Sequence, residues 1–202
     1  DGGDGTLNLI TGGGIYYAGG GGGGADGTGG AGGSGGGGAG KSAPQCASGV
    51  AGTENTGGGG GGLGNKAGQT SGAGGKGIVV IRSTTPFTTC SACAPVSHDG
   101  TNYVGTFKAS TNINMGAATT FQQLDYLVVG GGGGGAHRHA GGAGAGGFRT
   151  SFPGGTKLYL QTGAANTVTI GAGGAGTPAP IDCVPGGNGE NSSAGMIFSA
   201  GG

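Results

Sequence analysis

Tryptophan is absent, aromatic residues make up 5% of the chain and charged residues 8%, with eight basic side chains balancing eight acidic ones. Nucleic-acid binding needs a basic footprint, and this neutral, charge-poor chain carries none. No stretch approaches the ~18 consecutive apolar residues of a membrane-spanning helix, so no membrane span is predicted. Apolar residues nowhere recur at helical spacing between capping residues, which predicts almost no α-helix. Large aliphatic and aromatic residues are few, enough for a small β core and not for the core of an ordinary 202-residue enzyme. The acids Asp1, Asp4, Asp26, Glu54, Asp99, Asp125, Asp182 and Glu190 are dispersed, and His98 sits in a turn-like stretch before Gly100. Acid–base chemistry needs carboxylates or imidazoles held in dry, rigid pockets, so the sequence predicts a protein that is not an enzyme and uses no cofactor. It starts at Asp1 without a methionine or a signal peptide, which predicts a processed chain or a segment of a longer one.

What the chain has instead is glycine: 63 residues, in runs such as 19–24, 57–62 and 130–135. That level borders on low-complexity disorder, but disorder goes with net charge and solvating residues, and both are scarce here. Glycine loses the most backbone entropy on ordering, so an ordered state must return hydrogen bonds densely. An extended threefold helix of the polyproline II type, about 3.1 Å per residue and without internal hydrogen bonds, leaves every glycine N–H available to neighbouring segments. Buried backbone donors need partners, and segments without side chains approach closely enough to supply them. Ala25, Thr28, Ala31 and Ser34 recur every third residue, as do Ala140 and Ala143, which places small side chains on one edge and glycines on the other two. Gly29, Gly32, Gly59, Gly132 and Gly173 are the expected lattice glycines. The repeat is not strict and proline does not fill the other positions, so a collagen triple helix does not fit.

Between the runs lie short segments rich in β-branched and aromatic residues, bounded by glycine or turn residues: Thr6–Thr11, Gly77–Arg82, Asn102–Ser110, Asp125–Gly130, Thr156–Gln161 and Asn166–Gly171. Thr167 to Ile170 alternate polar and apolar, as half-buried strands do. The predicted fold class is all-β plus glycine-rich, with short β-strands framing packed polyglycine II-type helices.

Four cysteines, Cys46, Cys90, Cys93 and Cys183, are spread through the chain. Structural disulfides are the first reading, in an extracellular setting, with three pairings available; unpaired thiols come second and a metal third. Ala94 and Pro95 after the Cys90–Cys93 pair remove the helix that a redox C-x-x-C motif needs. Asn191, Ser192 and Ser193 form a glycosylation sequon. Gly35 to Ser42 matches the phosphate-loop pattern, but glycine supplies most of its letters, no strand precedes it and no helix follows. Tyr126 to Gly130 resembles the start of a dinucleotide-binding unit without the helix that would hold the pyrophosphate. His137 and His139 share one face of an extended strand, yet no carboxylate nearby completes a metal site.

HDGTNYVGTFKAS from His98, then LDYLVVGGGGGG, GGAGAGGFRT, NTVTIGAGGAGT and GGNGENSS, together with KGIVVIR at Lys76 to Arg82, resemble the glycine-rich domains of phage tail-fibre-like and large secreted bacterial surface proteins. A more distant similarity reaches the glycine-helix lattices of phage tail-tip adhesins and the glycine-rich ectodomains of some receptor kinases. The resemblance implies a structural or adhesive role outside the cell and no catalytic residues. The order is rotated, because the closing GIVVIR strand precedes the opening YLVV strand. This predicts residues 1–82 as the second half of such a domain, 83–97 as a cysteine-containing connector and 98–202 as the first half, completed by an adjacent unit or repeat. The expected function is a non-enzymatic extracellular filament, sheath or surface fibre whose partner is itself, with contacts between units near Thr6–Ile10 and Gly195–Ala200. The alternative is an adhesin or tail-fibre module that binds a cell-surface glycan or receptor.

Overall fold

The computed structural model describes residues 1–43, 47–65, 68–89, 95–116, 120–138, 140–178 and 184–202. Among them there is no helix; the regular elements are thirteen β-strands. A six-stranded antiparallel sheet is centred on β3 (Ile78–Ser83), which lies between β8 (Phe121–Val129) and β6 (Tyr103–Phe107). Beyond β8 come β10 (Leu158–Gln161) and β9 (Phe148–Thr150), and beyond β6 comes β5 (Val96–His98). A second, five-stranded sheet runs β13 (Ile197–Ser199), β12 (Ser192–Ala194), β11 (Ala165–Thr169), β7 (Thr111–Asn114) and β4 (Thr88–Thr89). β1 (Thr6–Asn8) and β2 (Ile15–Tyr17) form a separate hairpin.

Alternation along β3 builds two cores. Val79 and Ile81 point into one with Phe107, Leu124, Tyr126 and Val128 of the same sheet, and Ile113, Val168 and Ala194 of the second sheet close it from the opposite side. Ile78 and Val80 point the other way with Val104, Leu127 and Val129, under Ile10 and Tyr17 of the hairpin region. The layers are therefore hairpin, large sheet, small sheet. Burial on both faces explains why β3 reads as a continuous apolar run; each of its four aliphatic side chains contributes about 1.5–3 kcal/mol. Gly105 makes room in the first core, because a Cβ there would stand 2.8 Å from the Phe87 ring.

The GIVVIR and YLVV strands, expected in opposite halves of a rotated domain, are antiparallel neighbours in one chain, with Val80 opposite Leu127 and Ile81 opposite Tyr126. β3 thus has both its ladder partners within this molecule. All six expected strand segments contain a strand, though β8 starts earlier, at Phe121, and β1 is shorter. β2, β4, β5, β7, β9, β12 and β13 stand where no strand was expected. β12 is Ser-Ser-Ala and β7 Thr-Asn-Ile-Asn, so pairing and burial select them and composition does not.

Glycine-rich segments extend from the ends of β3 and β8. Residues 130–135 lie in neither strand nor helix, yet all six amides are bonded, with a period of three. Gly130 and Gly133 donate to Gly147 and Gly144, Gly131 and Gly134 to Glu190 and Gly187, and Gly132 and Gly135 to Gly75 and Gly72, at 2.8–3.0 Å. Three further segments donate back, through Gly60 to Gly133, Gly202 to Gly131, and Gly174 to Gly132. One extended segment thus has six hydrogen-bonded neighbours. Residues 57–64 repeat the arrangement: Gly59 and Gly62 donate to Gly19 and Gly22, and Gly38 and Lys41 donate to Gly59 and Gly62.

Candidate functional surface

The glycine block is made of backbone groups, and its geometry excludes side chains. A Cβ on Gly132 would overlap the carbonyl of Gly58, one on Gly59 that of Ala143, and one on Gly173 that of Gly74. Gly29 faces Gly40 and Gly32 faces Gly37 in the same way. The five glycines singled out from sequence therefore all sit against neighbouring backbone. Thr28, Ala31 and Ser34, three residues apart, are exposed on the remaining edge.

That edge is closed by carboxylates. Asp1 Oδ1 accepts from the Ala31 amide and Asp4 Oδ1 from the Ser34 amide, both at 2.7 Å, so side chains three residues apart replace the carbonyls of another segment. The bond from Ser34 lowers the Asp4 pKa below the usual carboxylate range.

Several amides of the phosphate-loop match are already bonded within the protein. Those of Gly38, Gly40 and Lys41 are bonded to Gly59, Gly30 and Gly62, and Ser42 is buried at 1% exposure. Likewise, the amides after β8 are committed to the glycine block. His137 is buried, Arg138 Nε donates to Asn65 Oδ1 at 3.1 Å, and His139 lies outside the described residues. Cys46, Cys90, Cys93 and Cys183 also lie outside them. Among the described residues no three His, Cys, Asp or Glu side chains converge on a metal site, and no helix is long and apolar enough to cross a membrane. Asn191 of the sequon is exposed, its Oδ1 accepting from Gly201 N at 3.0 Å.

Two polar features were not legible in the sequence. Arg82, at the end of β3, pairs with Asp99 at 2.9 Å, donates to the Ile10 carbonyl at 3.2 Å and stacks over Phe152. It ties together the large sheet, the β5–β6 turn and the connection between β1 and β2. Asp99 accepts from the amides of Asn102 and Thr101; these bonds, with a smaller contribution from Arg82, hold its pKa at about 2. The second feature is a cleft of about 280 Å³ where the hairpin, the 53–56 turn and β6 meet, lined by Tyr17, Glu54 and Lys108. Their separation in sequence hides both sites, and only the arginine closing the GIVVIR run gives a signal.

Exposed apolar side chains form two groups on opposite outer layers. Leu7, Leu9 and Tyr16 face away from the core on the hairpin, at 45%, 51% and 47% exposure. Met196 and Phe198 project from the small sheet at 93% and 57%, with Arg149 over the Phe198 ring.

A family model for the glycine-rich domain matches residues 101–202, which is half of the chain. The chain belongs to the glycine-rich domain family. The matched part holds β8 and the 130–135 segment but not β3, so the family region draws its central strand from outside the match. No curated protein and no solved structure matches the chain.

Proposed function

We propose that this glycine-rich domain protein is a non-enzymatic structural unit of an extracellular filament, sheath or surface fibre, its glycine segments forming polyglycine II-type helices packed side by side. The observation that carries the reading is the six-neighbour hydrogen bonding of residues 130–135, with a period of three. A threefold extended helix points its amides and carbonyls outward in this way. Such a block has backbone stiffness and almost no side-chain chemistry, which suits a load-bearing or spacing role better than catalysis. The exposed groups around Leu7–Leu9 and Met196–Phe198 fall in the two regions where contacts between units are expected. Two different patches on opposite layers make a heterologous contact, which propagates into an open polymer when it does not close into a ring.

Electron microscopy and sedimentation of the purified protein test the reading, the expected result being a polymer of identical subunits. A monomer that stays dispersed at every concentration, with both ends in solvent, would overturn it. A recognition module for a cell-surface glycan or receptor would then stand first.

A further inference from the structure

We propose that the cleft between the β1–β2 hairpin, the 53–56 turn and β6 is a binding site for one neutral sugar ring of a glycan. The inference stands on the cleft alone and not on the filament reading. Glu54 and Lys108, both exposed, line it from different segments, and neither has a hydrogen-bond or ion-pair partner among the described residues. In a chain with sixteen acidic and basic residues in all, an unengaged carboxylate and an unengaged ammonium on one cavity wall are conspicuous. Tyr17 lies deeper, 2% exposed, and no protein group bonds its hydroxyl among the described residues. Thr11 and Thr106 add hydroxyls, and Ile15 and Ile78 an apolar wall.

These groups set the ligand class. An anion attracted by Lys108 is repelled by Glu54, and a cation the reverse, so a single charge gains little net, whereas a neutral polyol offers hydroxyls to both, and charge-assisted hydrogen bonds are the stronger ones. The C–H face of a pyranose suits the isoleucine wall. At about 280 Å³ the cleft is slightly smaller than the ~300–1,000 Å³ of sites for drug-sized ligands, so it takes one ring, with the rest of a glycan passing outward. Two non-glycine residues with left-handed backbone, Ala18 and Asn55, both at φ 60°, sit at its margin. Asn55 lines the cleft and Ala18 follows Tyr17 in the chain, and the packing around them fixes both conformations.

Saturation-transfer NMR suits the protein as monomer or polymer. The probes are the methyl glycosides of glucose, galactose and N-acetylglucosamine, with glycine and acetate as zwitterionic and anionic controls. At least one glycoside is expected to receive saturation from the protein, and calorimetry should show about tenfold weaker binding in Glu54→Gln and in Lys108→Met. Both variants change exposed side chains, so circular dichroism should match wild type. Tyr17→Phe, which removes only the hydroxyl, should also weaken binding. Saturation of none of the glycosides, of the controls alone, or unchanged affinity in Glu54→Gln and Lys108→Met would overturn the assignment.

Discussion

At the scale of single residues, one methyl group separates glycines that the fold requires from glycines that it merely contains. Gly59 and Gly132 have carbonyl oxygens where a Cβ would go, and those oxygens belong to backbone held by its own hydrogen bonds. Gly59→Val and Gly132→Val should each cost about 1–3 kcal/mol or more, read as a lower midpoint in urea. Gly29→Val and Gly32→Val, nearer the exposed edge, should be destabilising in the same direction. Gly141 and Gly144 face open space without left-handed backbone, so Gly141→Ala and Gly144→Ala should be neutral or stabilising by about 0.4–1 kcal/mol. Equal effects in the two sets would mean that the packing is not what selects glycine. Asp99 offers a second test. Its folded pKa, about 2, lies below the ordinary aspartate value of 3.8, so the stability it contributes is complete above 3.8 and is lost as pH falls through about 2. Urea midpoints measured from pH 5 to pH 2 should converge for wild type and Asp99→Asn at the acid end and separate above it.

At the scale of elements, β3 holds both cores, and its alternating side chains are the test. Ile81→Ala should cost about 2–5 kcal/mol in thermal or urea unfolding, whereas Leu9→Ala, exposed just after β1, should stay within about 0.5 kcal/mol. The apolar strands were legible because β-branched runs between glycines have few other uses. β12 was not, since Ser192 is buried through its hydroxyl bond with the Gly171 amide at 2.9 Å, between segments 21 residues apart. Of the polar features, only Arg82 lay in a recognisable run. Glu54, Lys108 and Tyr17 meet because the hairpin folds over the large sheet, and no local pattern encodes that.

For the whole molecule, the family region lacks the central strand that β8 pairs with. Residues 101–202 contain β8 without β3, leaving an apolar strand edge that favours association. Expressed alone, this region should be aggregated or unfolded by circular dichroism, and adding residues 1–100 should restore the spectrum of the intact chain. A folded, monomeric 101–202 fragment would show that β3 is dispensable. Assembly can be tested with one substitution on each outer layer. Leu9→Asp and Phe198→Asp should each block long polymers without lowering the melting temperature, and an equimolar mixture should stop at dimers, because each variant keeps one intact face. Polymer length unchanged by either substitution would place the contacts elsewhere and leave the filament reading itself standing.

Local sequence pattern was enough to indicate that the chain has almost no helix, several short strands and a backbone-dense glycine component. Each follows from local properties: the missing 3.6-residue period, β-branched runs between breakers, and the entropy that glycine must recover through hydrogen bonds. Gly29, Gly32, Gly59, Gly132 and Gly173, expected from sequence as lattice glycines, each stand against neighbouring backbone. Tertiary structure decided which segments those neighbours are. It put the GIVVIR and YLVV strands side by side in one chain, closed the Ala31–Ser34 edge with Asp1 and Asp4, and gathered Tyr17, Glu54 and Lys108 around one cleft. Backbone amides are chemically alike, so glycine runs carry no record of their partners, and the pairing is selected by the two side-chain cores to which the runs are attached.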